Sequence, residues 1–258
     1  MAFQSFNENT DIVENQRTTI SSGLWSGGSS TLTSFFTQSS NGNITGSFLE
    51  LYNEDPNVSS SAEVQFAVGY ANIHGSGSTG NTTKLTTGGR QTAAIYRQFR
   101  NLILAPNTDE FTFTSAPSSS DDFYFVSFQR ARQREKIDPG NWELQLTGQM
   151  SGKAAKIQLI DDSGATTNPT VNEGGRVFNV VSGSIADGIN TTAANQPGGA
   201  LGLFYPDLGV ILLDASQMEA SGGLSANARD ADMFISRSAA FYNSIKSGSS
   251  FQARREEE

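Results

Sequence analysis

The chain has no cysteine and one histidine, His74, and these two shortages remove most common metal and hydrolytic chemistry. Without Cys there can be no disulfide framework, thiolate nucleophile, iron–sulfur cluster or Cys-ligated zinc. A multi-histidine metal site is impossible, and a Ser-His-Asp triad would have to run through His74, which no Gly-x-Ser-x-Gly elbow accompanies. Positive charge is also scarce: 17 Lys and Arg stand against 26 Asp and Glu, a formal net charge of −9. Phosphate contact needs a basic surface that releases counterions, so this balance argues against nucleic acid and against an anionic membrane as partners. No run approaches the roughly 20 apolar residues of a membrane span, and Met1–Asn7 shows no basic segment leading into an apolar one.

Small polar residues and aromatics are abundant instead. Ser, Thr and Asn make up roughly 29% of the chain, beyond ordinary globular usage. That bias alone would suit disorder, but 17 Phe, 6 Tyr and 2 Trp supply the large apolar surfaces that disordered chains lack. Short strands joined by small-residue turns reconcile the two. A length of 258 residues suits one large β-type domain or two small ones, with a core of its own.

Period-two patterning begins after a polar arm, residues 1–17, that carries Phe3 and Phe6. Residues 18–25 and 31–37 flank the turn Gly27-Gly28-Ser29-Ser30 and predict an antiparallel pair. In 62–70, Val64, Phe66 and Val68 share a face opposite Glu63, Gln65 and Ala67, as a half-buried strand requires. Residues 122–128 are apolar at odd and even positions alike, which predicts a strand covered on both faces. Further strands are expected at 142–146, 156–160, 177–181, 201–205 and 210–213. One segment breaks the pattern: Ile95, Phe99, Leu102 and Ile103 recur at helical spacing, giving an amphipathic helix near 91–104 stopped before Pro106. A second helix is expected in 227–246, capped near Asp230, with Phe234, Phe241 and Ile245 and the small Ala231 and Ser238 on one stripe and Gly248 ending it. The charged Arg254–Glu258 then reads as a tail with no packing element, as if a longer chain were cut there.

The predicted fold is therefore mainly β, an antiparallel β-sandwich with one internal amphipathic helix and a C-terminal helix. The expected organisation is an arm at 1–17, a β-rich domain at 18–147, a second β-rich lobe or continuation at 148–226, and a helical C-terminal arm at 227–258.

Candidate chemistry is thin. The doublets Asp109-Glu110, Asp121-Asp122 and Asp161-Asp162 fall at predicted strand ends, where acids serve turns and edges more often than catalysis. His74 reads as a loop histidine. The glycine-rich stretches hold no phosphate-loop frame, and no Asp ladder makes a calcium loop. No cofactor and no metal site is expected. Arg130, Arg132 and Arg134 are the one local reversal of the acidic balance. On a strand their two-residue spacing would put all three on one face, suited to ion pairing with carboxylates on a partner. The turn Asp138-Pro139-Gly140 and then Trp142, a residue type that anchors interfaces, follow at once.

Two stretches carry a resemblance. Ile95-Tyr96-Arg97-Gln98-Phe99-Arg100-Asn101-Leu102-Ile103-Leu104 leads on to Asp121-Asp122-Phe123-Tyr124-Phe125-Val126-Ser127-Phe128-Gln129-Arg130-Ala131-Arg132 and Glu135-Lys136-Ile137-Asp138-Pro139-Gly140-Asn141-Trp142-Glu143-Leu144. The second stretch is Gly202-Leu203-Phe204-Tyr205-Pro206-Asp207-Leu208-Gly209-Val210-Ile211-Leu212-Leu213-Asp214, together with Phe251-Gln252-Ala253-Arg254-Arg255-Glu256. Over about residues 90–258 the chain resembles a family of virion structural proteins, tail- or baseplate-associated, from contractile-tailed cyanophages and related marine myoviruses. The resemblance implies a non-enzymatic role in the virion, with other virion proteins and further copies of the chain as partners, and a chain continuing past the Arg-Arg-Glu segment. Arg130, Arg132, Arg134, Trp142, Phe3 and Phe6 are the residues expected at interfaces. The alternatives are a receptor- or glycan-binding adhesin using exposed aromatics, and a polysaccharide depolymerase using acids such as Asp121 or Asp207.

Overall fold

The computed structural model describes residues 20–38, 48–75, 87–113, 119–150, 153–165, 169–190, 199–222, 237–248 and 250–257. Phe3, Phe6 and the rest of the arm lie outside the described residues. The first half contains β1 (Ile20–Gly23), β2 (Thr31–Leu32), β3 (Phe48–Tyr52), β4 (Val64–Asn72), helix α1 (Thr87–Ile103), β5 (Phe111–Thr112), β6 (Ser119–Ser120), β7 (Asp122–Phe128) and the single turn α2 (Arg130–Gln133). The second half contains β8 (Lys136–Met150), β9 (Lys153–Asp161), β10 (Thr170–Asn172), β11 (Gly175–Ser184), β12 (Gly188–Ile189), β13 (Ala200–Tyr205) and β14 (Val210–Asp214). Helices α3 (Ala215–Gly222) and α4 (Arg237–Gly248) and strand β15 (Phe251–Glu257) complete it. The protein is mainly β, as the strand pattern predicts.

Thirteen strands form one antiparallel sheet with the path β1-β15-β8-β9-β11-β13-β14-β7-β4-β3; β2 pairs with β15, and β10 and β12 pair with β11. β8, β9 and β11 are consecutive in this sheet, since β8 pairs with β9 from Leu144–Leu159 to Met150–Lys153 and β9 with β11. The sheet also curls on itself. Trp25 sits between strands from opposite ends of the path, its ring centroid 5.6 Å from Phe66 of β4, 6.1 Å from Phe128 of β7 and 5.0 Å from Phe251 of β15. Its indole N–H donates to the Phe251 carbonyl at 2.9 Å, so the largest side chain in the seam is buried without leaving its one donor unpaired. Beyond β2, Phe36 exchanges two backbone hydrogen bonds with Tyr52 of β3 at 3.2 and 2.9 Å, joining the two edges of the curled sheet.

Two apolar cores result, one on each face. Inside the curl lie Trp25, Phe66, Phe128, Trp142, Phe204 and Phe251, with α4 contributing Phe241 and Ile245. On the outer face Tyr96 and Ile103 of α1 and Phe111 and Phe113 cover Phe123 and Phe125 of β7. This explains the unbroken apolar run in β7, which is covered on both sides. β4 behaves the same way, correcting the half-buried expectation: Gln65 is fully buried because its amide bonds the Ser26 hydroxyl and the Glu63 carbonyl on the far side.

Other expectations are corrected too. β1 and β2 do not pair with each other; both pair with β15, and residues 24–30 loop out between them to carry Trp25 inward. Asp138-Pro139-Gly140 is not a turn between strands. Trp142 pairs with Ala253 and Ile137 with Arg255, so residues 138–141 of β8 bulge opposite Arg254 alone. A bulge tolerates Pro139, which has no N–H for a ladder, and Gly140 takes φ +79° there. Leu102, assigned to the buried stripe of α1, is 50% exposed, with Tyr96 buried in its place. Residues 227–236 of the expected C-terminal helix lie outside the described residues; the rest of the expected helical arm is α4 followed by a strand, β15, which lies inside the sheet between β1 and β8 with Phe251 and Ala253 fully buried.

Candidate assembly surface

The chain leaves β7 at Phe128 and turns at once into α2, with Arg132 and Gln133 donating their backbone N–H groups to the Gln129 carbonyl at 2.8 and 3.1 Å. The arginine run is thus helical. Arg130, Arg132 and Arg134 do not share a strand face, which corrects the spacing argument. Gln133 is what fixes the turn: fully buried, it donates from its amide to the carbonyls of Pro206 and Asp207 at 3.1 and 2.9 Å and bolts α2 to the β13–β14 turn. Arg134 ends the turn at φ +57°, the one described non-glycine residue in that region, and this redirects the chain into β8.

The three guanidinium groups consequently diverge. Arg132 pairs with Glu63 at 2.8 Å, beside the end of β4. Arg134 reaches both carboxylate oxygens of Glu257 at 2.8 Å. Arg130 stays exposed, with the Asp207 carbonyl at 3.5 Å from its guanidinium. Trp142 is not at this surface: it is fully buried against Phe204, ring centroids 5.3 Å apart, and its indole N–H finds no partner among the described residues. The expectation of an interface tryptophan is corrected; its bulk was needed inside.

Around α2 the same end of the sheet gathers further charge. Lys136 meets Glu256 at 2.5 Å, Arg255 meets Glu257 at 2.6 Å, and Arg176 of β11 grips Asp207 through two nitrogens at 3.1 and 2.7 Å. Both signs alternate over a rim drawn from β8, β11, β15, α2 and the β13–β14 turn. Hydrogen bonds from Arg176 hold the Asp207 carboxyl below its usual range, and bonds from Arg255, with Arg134 nearby, do the same for Glu257. Asp138, in the β8 bulge, moves the other way: burial raises it, and the adjacent Glu256 adds to the effect while the Ser21 hydroxyl opposes it.

A group whose folded pKa lies below its unfolded value binds fewer protons folded, so its stabilisation is present above the unfolded value, about 3.9 for Asp, and is lost as pH falls through the folded one. Asp207→Asn is therefore expected to lower thermal stability at pH 7, by about 1 kcal/mol or less given the solvent screening at this rim. The deficit should shrink as melting curves are taken down toward about pH 3. A deficit that stays constant with pH would assign the loss to packing.

The remaining candidates are dispersed. His74 is 74% exposed, its Nε2 3.5 Å from Asp121. Asp207, held in its charged form by Arg176, is the opposite of a general acid, whose pKa must be raised. Among the described residues Phe48 is the exposed aromatic, at 54%, and no group of three His, Asp or Glu is placed to hold a metal ion. No described helix is long and apolar enough to cross a membrane. Sequence reasoning missed Glu63, Arg176, Glu256 and Glu257 as members of the rim; Arg-Arg-Glu-Glu-Glu at the end of the chain was the signal, read as a solvated tail. Comparison with protein-family models, with curated proteins and with solved structures finds no match for this chain.

Proposed function

We propose that the protein is a non-enzymatic structural component of a bacteriophage virion, of the tail or baseplate, acting by assembly with other virion proteins and with further copies of itself. The observation that carries this reading is the rim around α2. Its ion pairs preset long side chains in fixed positions, so a partner with complementary charge meets a surface whose ordering cost is already partly met. Arg130 projects from it with no ion pair to a carboxylate among the described residues. Residue 20 pairs with residue 257 at the same corner, so β1 begins beside the rim. The resemblance over residues 90–258 points to the same role. Among the described residues the two cores take up most of the aromatics that the adhesin reading relied on, leaving Phe48 exposed; of the acids named for the depolymerase reading, Asp207 is paired with Arg176, and Asp121 is exposed beside His74.

Two measurements test the proposal. Mass spectrometry of purified particles should detect this polypeptide, and particles that lack it would refute the virion assignment. Arg130→Glu reverses charge at an exposed position, where substitutions usually stay within about 0.5 kcal/mol of neutral. It should leave the melting temperature in place while weakening self-association or partner binding at least tenfold by analytical ultracentrifugation. Unchanged association would remove the rim from the assembly surface.

A further inference from the structure

Between the β8 bulge, the end of β9 and the β11–β12 hairpin lies a cavity of about 410 Å³, lined by Gly140, Ile160, Asp161, Ala165, Ile185 and Ile189 among others. Three isoleucines make an aliphatic wall. The ionisable group in the lining is Asp161, which is only 3% exposed. Its carboxylate accepts the Gly140 N–H at 3.1 and 2.8 Å and the Ser163 N–H at 2.9 Å. These donors, and the Ser163 hydroxyl that also bonds the carboxylate, are neutral. No ion pair between described residues involves Asp161. A buried carboxylate is ordinarily paired with a cation or gives up its charge, because amide hydrogen bonds recover only part of its lost hydration. Burial accordingly raises the Asp161 carboxyl above its usual range, with the bonds from Ser163 and Gly140 opposing the shift and Asp162 adding to it.

The lining selects the kind of cation. A divalent metal needs about six or more oxygen ligands, which hydrocarbon walls do not offer. A nitrogen cation on a hydrocarbon stem meets both features, since it buries methylenes and delivers a charge-assisted hydrogen bond. We propose that this cavity binds an alkylammonium group, its stem against Ile160, Ile185 and Ile189 and its nitrogen on the Asp161 carboxylate. The group can be a free aliphatic amine or the side chain of a lysine on another protein. The inference does not depend on the virion reading.

The test titrates the full chain with n-butylammonium and, as a neutral match in size, n-butanol, followed by calorimetry or amide chemical shifts. Butylammonium should bind at least tenfold more tightly than butanol. Its affinity should rise with pH as Asp161 ionises. Asp161→Asn should reduce butylammonium to the level of butanol. Because Asp161 also anchors the β8 bulge, that variant can fail to fold, and Ile189→Trp, at a position 36% exposed, provides the second test by filling the cavity. It should weaken butylammonium at least tenfold with the melting temperature retained. Equal binding of the two ligands, or an Ile189→Trp variant that still binds, overturns the proposal. Nα-acetyl-lysine amide separates the sources: binding within threefold of butylammonium identifies a protein lysine, and loss of binding with butylammonium retained identifies a free amine.

Discussion

Ending the chain at Ser250 should abolish cooperative folding. The missing strand β15 is the second in the sheet path: it pairs with β8 on one side and with β1 and β2 on the other, so its loss leaves both neighbours with an open edge. Phe251 and Ala253 leave the core with it, and Trp25 loses one of its three ring neighbours and the carbonyl that accepts its indole N–H. Removing the Phe251 ring alone is worth about 3–5 kcal/mol, and an indole N–H left buried without a partner costs about 1–3 kcal/mol more. Whole domains are stable by about 5–15 kcal/mol, so losing the ring, the ladder and the charged pairs to Lys136 and Arg134 together leaves little margin. Near-ultraviolet circular dichroism should lose its aromatic signal, and thermal melting should become broad and non-cooperative. Phe251→Ala, by contrast, should still fold, with a melting temperature many degrees lower. A truncated chain that melts like the full-length one would mean that β15 is an appendage after all.

That contrast shows where sequence reading reached and where it stopped. β7 was legible because a strand with both faces covered must be apolar at every position, and α1 because Ile95, Phe99 and Ile103 recur at the helical period. The α4 stripe of Ser238, Phe241 and Ile245 was legible for the same reason. β15 was illegible because its outer half, Arg254–Glu257, carries only charge. Those charges are tolerated in the sheet because Lys136 and Arg134, more than a hundred residues earlier, lie across from them, and one sequence holds no record of that pairing. The arginine run misled for a related reason: two-residue spacing suits a strand, but the buried amide of Gln133 holds the segment in a helical turn. Asp161 was read as a turn residue, which its bond to the Ser163 N–H bears out, yet its proximity to Gly140, Ile185 and Ile189 arises only when β8, β9 and β11 assemble.

Gly202→Ala should be one of the most damaging single-methyl additions among the described residues. Gly202 stands in β13 between Val180 of β11 and Leu213 of β14, next to the register shift at Val180 and Val181. A Cβ there would come within 2.0 Å of the Leu212 carbonyl oxygen and 2.9 Å of the Leu213 Cα, both backbone atoms of the neighbouring strand. A side chain in the way could rotate, but a ladder strand can yield only by breaking hydrogen bonds. Leu212 and Leu213 are themselves fully buried, one in each core, so moving β14 loosens packing on both faces of the sheet. Overpacking a tight core costs about 1–3 kcal/mol when side chains can adjust. Here the backbone must separate, and the loss is expected at or above the top of that range, enough to lower the urea midpoint by 1 M or more for a slope of about 1–3 kcal/mol per molar. Gly164, whose added Cβ would meet nothing within 4 Å, is the control: Gly164→Ala should leave the midpoint within experimental error. Equal midpoints for the two variants would show that β13 and β14 approach less closely than their register requires.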